Sequence, residues 1–276
     1  MNLTVISGFV LAAAVVWFGV LAHAGRPEIF LDSHALILVI GGTVAAALVA
    51  FPMRQYGDLF TFLFTGILFP TKRATAKVIS QVLMLSTRPE PSAIDPEIWR
   101  KFHPFLIEAY LISARNDMTH AEFKMILQGR RQRFQERNAW EAKILTALAK
   151  FPPAFGLLGA TTGMIAMMSN LGGGGKEIIG PSMAIALVAT FWGIALANLI
   201  LLPLADRALR INSEDAKLRM IISSGLILIH QHTRPNVVFE HLLGFLPVGE
   251  RDDPRFRKAL FFAQNKAAPA AKKTAA

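Results

Sequence analysis

The chain has 276 residues, of which 53% are hydrophobic and 17% are charged, and it contains no cysteine. Soluble globular proteins carry about 25% charged residues, so this composition, with a mean hydropathy of +0.42, indicates a membrane protein and excludes a mostly disordered chain. Without cysteine the protein has no disulfide, no thiolate nucleophile and no cysteine-ligated metal.

Four segments are apolar enough to cross a membrane, which takes about 20 mostly apolar residues. They are residues 3–24, 35–51, 151–168 and 182–205, and none contains Asp, Glu, Lys or Arg. The first ends in Ala22-His23-Ala24, similar to a signal-peptide cleavage site, but it lacks a basic start and is longer than a signal sequence requires. The sequence therefore predicts an all-α polytopic protein with four transmembrane helices and a helical cytoplasmic domain.

The basic residues indicate which segments are cytoplasmic. Of the 29 Lys and Arg residues, 15 lie in residues 53–150 and 12 lie from residue 204 onward, whereas the two short connections have one each. Lys and Arg are enriched in cytoplasmic segments of membrane proteins, so the middle segment, the tail and both termini are predicted to be cytoplasmic. This orientation explains the net charge of +10 without a nucleic-acid partner.

The chain is thus predicted to have five parts. Residues 1–52 contain transmembrane helices 1 and 2, residues 53–150 form the cytoplasmic helical domain, and residues 151–205 contain transmembrane helices 3 and 4. Cytoplasmic C-terminal helices (206–264) and a disordered tail (265–276), rich in Ala and Lys, follow. A shorter apolar run from Leu59 to Phe69 predicts either an interfacial helix or a buried cytoplasmic helix.

No motif for catalysis or metal binding is evident. The run from Gly172 to Lys176 lacks the spacing of a phosphate-binding loop and is predicted to be an external hairpin. His230 and His232 are two residues apart and would face different sides of a helix. We therefore expect no enzyme activity, no metal site and no cofactor.

Small residues line the third and fourth predicted helices. Gly159 and Gly163 form a G-x-x-x-G pair, and Ala189 and Gly193 have the same spacing on helix four. Such faces let helices approach closely in lipid. Two interpretations stay open, since these faces serve either packing within the subunit or, with hydroxyls such as Thr161 and Thr190, a narrow polar path.

The apolar segments contain no Asp, Glu, Lys or Arg, and such charged groups usually mark an ion pathway in the membrane. If the protein conducts protons or sodium, the carboxylate must come from another chain. If it conducts no ion, the protein is a scaffold.

The segments 155–168, 179–190, 192–198 and 202–205 resemble the flagellar stator family of MotA and PomA. Their sequences are FGLLGATTGMIAMM, IGPSMAIALVAT, WGIALAN and LPLA. The resemblance extends over residues 35–250 and implies a subunit of the bacterial inner membrane. It also implies a homo-oligomeric ring, a pentamer, around a MotB-like single-helix protein that binds peptidoglycan. That partner's aspartate would carry the ion, and the ring would generate torque on a FliG-like switch complex.

The resemblance also implies roles for individual residues. Thr190 matches a threonine that faces the partner's aspartate, and Ala160 stands where sodium-driven members usually have threonine, which favours H⁺ over Na⁺ as the coupling ion. Pro153 and Pro203 match two prolines that allow conformational change. Residues of the ion path or the partner-facing surface are predicted to be Thr190, Ala160, Thr161, Gly159, Gly163, Phe155 and Trp192.

The chain departs from the family in the cytoplasmic segment, where an Arg-x-Gly-Leu-Leu-x-Leu-Glu motif is usual. Residues 85–91 have the sequence LSTRPEP there instead. Weak candidates for rotor contact are Arg88, Glu90, Arg130, Arg131, Arg133 and Glu136. A solvated charged face is the alternative for the last four.

Two other functions compete with a proton-driven stator. One is a proton-motive-force energiser of another envelope system, resembling TolQ or ExbB, and the other is a membrane scaffold that conducts no ion. The extra helix before Gly41-Gly42 and the short first external loop favour the stator, because the TolQ/ExbB relatives have three membrane helices.

Overall fold

A computed structural model describes residues 3–21, 27–63, 74–86, 96–115, 117–171, 176–251 and 256. Within these ranges every regular element is a helix, which confirms the all-α prediction. The chain divides into two compact units. Unit 1 comprises residues 1–71 and 138–211, and unit 2 comprises residues 72–137 and 212–276.

The helices of unit 1 are mostly apolar and range from 4 residues in α2 to 21 residues in α9. The first is α1 (Leu3–Val16), which is continued by a π-helical turn, Trp17–Leu21. A π-helical segment, Ile37–Gly41, joins α2 (Ser33–Leu36) to α3 (Gly42–Ala50). The others are α4 (Met53–Phe62), α9 (Phe151–Leu171) and α10 (Lys176–Ala195). A second π-helical segment, Leu196–Leu201, leads from α10 into α11 (Leu202–His230). A 3₁₀ turn, Pro27–Leu31, precedes α2.

Unit 2 contains α5 (Thr75–Leu85), α6 (Pro96–Lys101), α7 (Pro104–Ser113) and α12 (Pro235–Leu243). The helix α8 (His120–Leu148), like α11, contributes residues to both units. A 3₁₀ turn, Val248–Glu250, follows α12.

Local sequence explains where several helices begin and end. Asp32 caps α2, because its carboxylate accepts a hydrogen bond from the Ala35 N–H at 2.9 Å. Phe51 is extended since it precedes Pro52, and a residue before proline is disfavoured in the helical region. Thr119 and Glu122 form a reciprocal capping box at the start of α8.

Within the part of the chain that the structure describes, three helical stretches are long and apolar enough to cross a membrane: Ser33–Ala50, His120–Ser169 and Ile179–His230. They correspond to the second, third and fourth predicted spans. The first predicted span corresponds to the shorter apolar helix Val5–Gly19. A membrane-capable all-helical fold is therefore confirmed, whereas the number of four spans stays a prediction.

The boundaries of the two units do not coincide with those of the five predicted parts. Residues 53–71, 138–150 and 206–211, which are predicted to be cytoplasmic, belong to unit 1. Leu59 of α4 packs there in a buried cluster with Leu145 of α8 and with Ala205 and Ala208 of α11. The predicted interfacial run Leu59–Phe69 is described only as far as Leu63, and the predicted tail 265–276 lies outside the described residues.

Unit 2 has its own apolar core. Its largest fully buried side chains include Phe105, Phe123, Leu83, Ile222 and Leu226, which come from α5, α7, α8 and α11. Burial of such side chains stabilises a fold by about 1.5–3 kcal/mol each. Unit 2 is therefore stabilised by the burial of apolar side chains between its helices.

A partly buried network of polar and charged side chains links α7 to α11 within unit 2. His103 caps α7, since its Nδ1 accepts from the Phe105 N–H at 3.1 Å, and its Nε2 lies 2.9 Å from Asp215 Oδ1. The other oxygen of Asp215 accepts from Arg219 Nε at 2.7 Å. Because Nδ1 is an acceptor here, Nε2 is the nitrogen that carries the hydrogen and donates to Asp215.

Aromatic rings and charge complete this network. The guanidinium carbon of Arg219 lies 3.4 Å from the centre of the Phe134 ring and 4.9 Å from that of Phe105. Burial acts to raise the pKa of the Asp215 carboxyl, but hydrogen bonds and charge from His103 and Arg219 outweigh it and lower this pKa below its ordinary value. Asp215 is therefore ionised at neutral pH and holds both partners.

We predict that Asp215→Asn destabilises the protein by about 1–3 kcal/mol, because it removes the charge that His103 and Arg219 share. The measurement is the thermal unfolding midpoint of the purified full chain. Glu214→Gln is the matched control, since Glu214 is the exposed neighbour on the same helix. Equal midpoints for the two variants would contradict the role assigned to Asp215.

Candidate functional site

The contact between α9 and α10 is made by residues with little or no side chain. Gly156, Gly159 and Gly163 of α9 are buried and face Ala189, Ala186 and Gly193 of α10. A Cβ atom added at Gly193 would lie 2.6 Å from the Pro152 carbonyl oxygen, and one at Gly163 would lie 2.8 Å from the Ser182 carbonyl oxygen. The backbones of α9 and α10 are therefore too close together for larger side chains at these positions.

This contact gives Gly159 and Gly163 a definite place. Both lie between α9 and α10 of the same chain, which corresponds to the first of the two interpretations of the small-residue face. Their predicted exposure to an ion path stays a prediction. The spacing of the glycines could be recognised in the sequence, but the sequence did not show that α10 packs against them.

Thr190 is half-buried at this contact. Its hydroxyl lies 3.1 Å from the Ala186 carbonyl oxygen and 3.4 Å from the Gly156 carbonyl oxygen. A hydroxyl has one hydrogen and two lone pairs, so Thr190 donates to one of these carbonyls at a time and keeps the capacity to accept. It therefore bridges α10 to α9 and still presents an acceptor.

Ala160 and Thr161 follow Gly159 on α9. Ala160 is half-buried, and Thr161 is exposed, with its hydroxyl donating to the Leu158 carbonyl at 2.8 Å. Thr162 makes the same kind of bond to the Gly159 carbonyl at 2.9 Å. The threonine hydrogens on this helix are thus used by its own backbone, and their lone pairs remain able to accept.

The two predicted aromatic residues contact the N-terminal part of unit 1. The ring of Phe155 lies against Gly42, where a Cβ atom would overlap it. The indole N–H of Trp192 donates to the Phe30 carbonyl at 2.6 Å, and Trp192 packs with Val39 and Val188. Both side chains therefore contact residues of the second predicted span or of the turn before it.

The two predicted prolines have different local surroundings. Pro153 lies in the first turn of α9, where a backbone N–H has no intrahelical partner, so it breaks no helical bond. Pro203 is the second residue of α11, two residues after the end of the π-helical segment Leu196–Leu201. Because proline lacks an N–H, the carbonyl of Leu199 has no ordinary helical donor, and the wider helical turn lies where this bond is missing.

The predicted rotor-contact residues lie on α8, apart from Arg88 and Glu90, which lie outside the described residues. Arg130 is exposed and forms an ion pair with Glu108 of α7. Arg133 and Glu136 are exposed, and Glu136 accepts from Gln132 at 2.9 Å. Arg131 is half-buried. An exposed ion pair contributes at most about 1 kcal/mol, so this face has charge available for a partner.

The network of His103, Asp215 and Arg219 was missed by the sequence analysis. His103 precedes Pro104, which is a helix-start signal, but the partner lies 112 residues away. Among the described residues, no group of His, Cys, Asp and Glu could hold a metal ion.

These features define a class of protein: an all-helical chain with several membrane-capable helices, whose apolar parts carry no charge and pack through glycine and alanine. The chain is similar to the MotA/TolQ/ExbB proton channel family, whose model matches residues 100–220. Because that is a family of channel proteins, the prediction that the chain is not an enzyme is confirmed.

Several curated relatives match most of the chain. It is 26% identical over 256 residues to Motility protein A of Bacillus subtilis, covering 91% of this chain and 93% of that protein. It is 24% identical over 230 residues to Chemotaxis protein PomA of Vibrio alginolyticus, covering 82% and 88%. The predicted resemblance to MotA and PomA is therefore confirmed.

Solved structures share the fold. The structure of C. jejuni MotAB matches with a TM-score of 0.78 at 19% identity, over 92% of this chain and 98% of that chain. The flagellar MotAB stator complex from Bacillus subtilis matches with a TM-score of 0.75 at 24% identity, over 89% and 96%.

We predict that Gly193→Ala destabilises the protein by about 1–3 kcal/mol, because the added methyl group forces apart two backbones in contact. The readout is the thermal unfolding midpoint of the purified chain. Gly180→Ala is the control, since Gly180 is also on α10 and has open space around it. If both variants melt at the wild-type temperature, the close α9–α10 contact is not what stabilises unit 1.

Proposed function

We propose that this protein is an ion-driven, proton-coupled flagellar motor stator subunit, which assembles as a ring around a MotB-like partner and generates torque on the rotor. The observation that carries the proposal is the likeness to a family of channel proteins together with predicted spans that contain no acidic side chain. A channel protein whose spans lack an acid needs one from another chain. The relatives are named Motility protein A and PomA, and the matching structures are MotAB complexes.

The proposed setting is the bacterial inner membrane, with four spans and both termini in the cytoplasm. The first predicted span, which is not among the three membrane-capable stretches, is formed by α1 with its π-helical turn. Its 19 residues would extend about 28 Å, close to the hydrocarbon thickness of about 30 Å. It also exposes large apolar side chains, among them Val10, Leu11, Trp17 and Phe18. The distribution of Lys and Arg sets the orientation.

Thr190 is proposed to meet the partner's carboxyl group. Since its hydrogen is engaged by a backbone carbonyl, the Thr190 oxygen can accept from a protonated carboxylic acid without losing a bond. To donate to the charged carboxylate, it must first release the carbonyl of Ala186 or Gly156. The site would therefore respond differently to the two protonation states, which is what a cycle driven by protonation requires.

The coupling ion is proposed to be H⁺. Na⁺ is a hard cation that binds oxygen ligands, and the methyl group of Ala160 offers none. The hydroxyls of Thr161 and Thr190 donate their hydrogens to their own helices and keep lone pairs, so Ala160 is the position that distinguishes the two ions. This supports a path that passes protons to a carboxylate and does not hold a cation.

The torque-generating parts are proposed from charge and helix geometry. The ring is a homo-oligomer, a pentamer, and Pro153 and Pro203 permit its helices to bend. The π-helical segment before Pro203 supports this, because π-helical turns are frequent at functional sites. The exposed charges Arg130, Arg133 and Glu136 on α8 would contact a FliG-like rotor protein.

The function is tested by deleting the gene and complementing the deletion. We expect flagellated cells that do not swim, with swimming restored by the wild-type gene.

Thr190→Val should leave the protein in the membrane and reduce swimming strongly, while Thr190→Ser, which keeps the hydroxyl, should retain most of it. Swimming speed and membrane abundance are measured together.

Two outcomes would overturn different parts of this proposal. Normal swimming after deletion, with a leaky outer membrane, would replace the stator by an energiser of the TolQ/ExbB kind. Normal swimming of Thr190→Val in a complemented strain would remove Thr190 from the ion path and leave the stator function intact.

The coupling ion is tested separately. Swimming should persist when Na⁺ is replaced by K⁺ and should stop when a protonophore collapses the proton gradient, because Ala160 gives Na⁺ no ligand. Swimming speeds in the two media are the measurement. A requirement for Na⁺ would refute the interpretation of Ala160.

A further inference from the structure

A basic surface surrounds the place where α4, the end of α8 and the start of α11 pack together in unit 1. The helices share one buried cluster, which includes Leu59, Leu145 and Ala208. Residues 53–63, 138–150 and 202–211 contain five basic and three acidic residues. The basic residues are Arg54, Lys143, Lys150, Arg207 and Arg210, of which all but Arg207 are exposed.

Four of these five basic residues lie at the ends of apolar segments. Arg54 follows the span Ser33–Ala50 by four residues. Lys150 immediately precedes α9, and Arg207 and Arg210 follow the apolar stretch that ends at Ala205. Side chains at such positions lie at the level of lipid headgroups when the adjoining helices cross the bilayer.

Large apolar side chains are exposed beside the charges. Met53 and Phe60 on α4, Trp140 on α8 and Leu209 on α11 are each more than half exposed. The Lys143 ammonium lies 5.6 Å from the centre of the Trp140 ring, so a charge and an interfacial aromatic residue occur together. This combination suits a ligand that has both a charge and acyl chains, and it does not suit a free anion.

Buried polar atoms lie at the same junction. Among the described residues, the Tyr56 hydroxyl and the Arg207 Nε have no hydrogen-bond partner. Tyr56 lies three residues before Leu59, and Arg207 is next to Ala208, so both adjoin the shared cluster. A buried polar group without a partner costs about 1–3 kcal/mol, and both of these atoms carry a hydrogen that a phosphate oxygen accepts.

We propose that this surface, formed by α4, α8 and α11, binds the phosphate headgroup of an anionic phospholipid of the cytoplasmic leaflet. Clusters of Lys and Arg directly cytoplasmic of membrane helices bind anionic lipids. The exposed apolar side chains contact the acyl chains, while Arg54, Lys143 and Arg210 attract the headgroup.

The test measures lipid binding to the purified full chain by native mass spectrometry, with phosphatidylglycerol and phosphatidylcholine as probes. We expect the wild type to bind phosphatidylglycerol at least tenfold more tightly. Replacement of Arg54, Lys143 and Arg210 by Gln together should weaken phosphatidylglycerol binding by about a hundredfold, since each basic side chain contributes about a factor of five.

Two control variants keep this test falsifiable. The same three positions changed to Lys, Arg and Lys, respectively, keep the charge and should bind like the wild type. Lys77→Gln, Lys124→Gln and Lys217→Gln together remove three exposed charges from unit 2 and should also leave binding unchanged. Thermal unfolding of each variant shows that loss of binding is not loss of the fold.

Three outcomes would overturn the proposal. The first is equal binding of both lipids by the wild type. The second is displacement of the lipid by millimolar inorganic phosphate, which would identify a phosphate site. The third is unchanged binding by the triple Gln variant, which is the result expected if a second copy of the chain covers this surface. The assay needs no partner and no motor, so its failure leaves the stator function untouched.

Discussion

The contact between α9 and α10 is the constraint on which unit 1 depends. Between membrane helices there is no hydrophobic driving force, since lipid is as apolar as a leucine side chain, and contact must be gained through close packing. Gly156, Gly159 and Gly163 provide it by letting α10 touch the backbone of α9. The same closeness brings the Thr190 hydroxyl within reach of the Gly156 carbonyl, so packing and the candidate ion path share one structural cause.

Unit 2 is stabilised in a different way. Its core of buried Phe, Leu and Ile side chains follows the rules of a water-soluble domain, and it tolerates one charged network because every member has a partner. His103 donates to Asp215, Asp215 also accepts from Arg219, and Arg219 lies over two aromatic rings. In unit 1 the apolar parts of the membrane-capable helices contain no Asp, Glu, Lys or Arg, which is why the proposed function takes the ion-carrying acid from another chain.

The residues of the candidate site could be chosen from the sequence more readily than their contacts could be predicted. The glycine spacing, Thr190 and the two prolines could be chosen from the sequence because their meaning is local or carried by a family resemblance. What each residue contacts could not be predicted, since contacts depend on pairs far apart in the chain. Trp192 bonds to the Phe30 carbonyl 162 residues away, and the Phe155 ring fills the space left by Gly42. Neither contact has a signature in the sequence.

The sequence by itself determined the helical class, the positions of the apolar segments, the likeness to MotA and PomA, and the lack of an acid in the apolar segments. These follow from composition and from patterns within about 20 residues, which is the length a membrane helix needs. Only the tertiary structure decided that Gly159 and Gly163 face α10, that Asp215 is held by His103 and Arg219, and that α4 packs with α8 and α11 beside a basic surface. Each of these is a contact between segments that are far apart in the sequence, and such contacts depend on how the side chains pack in three dimensions.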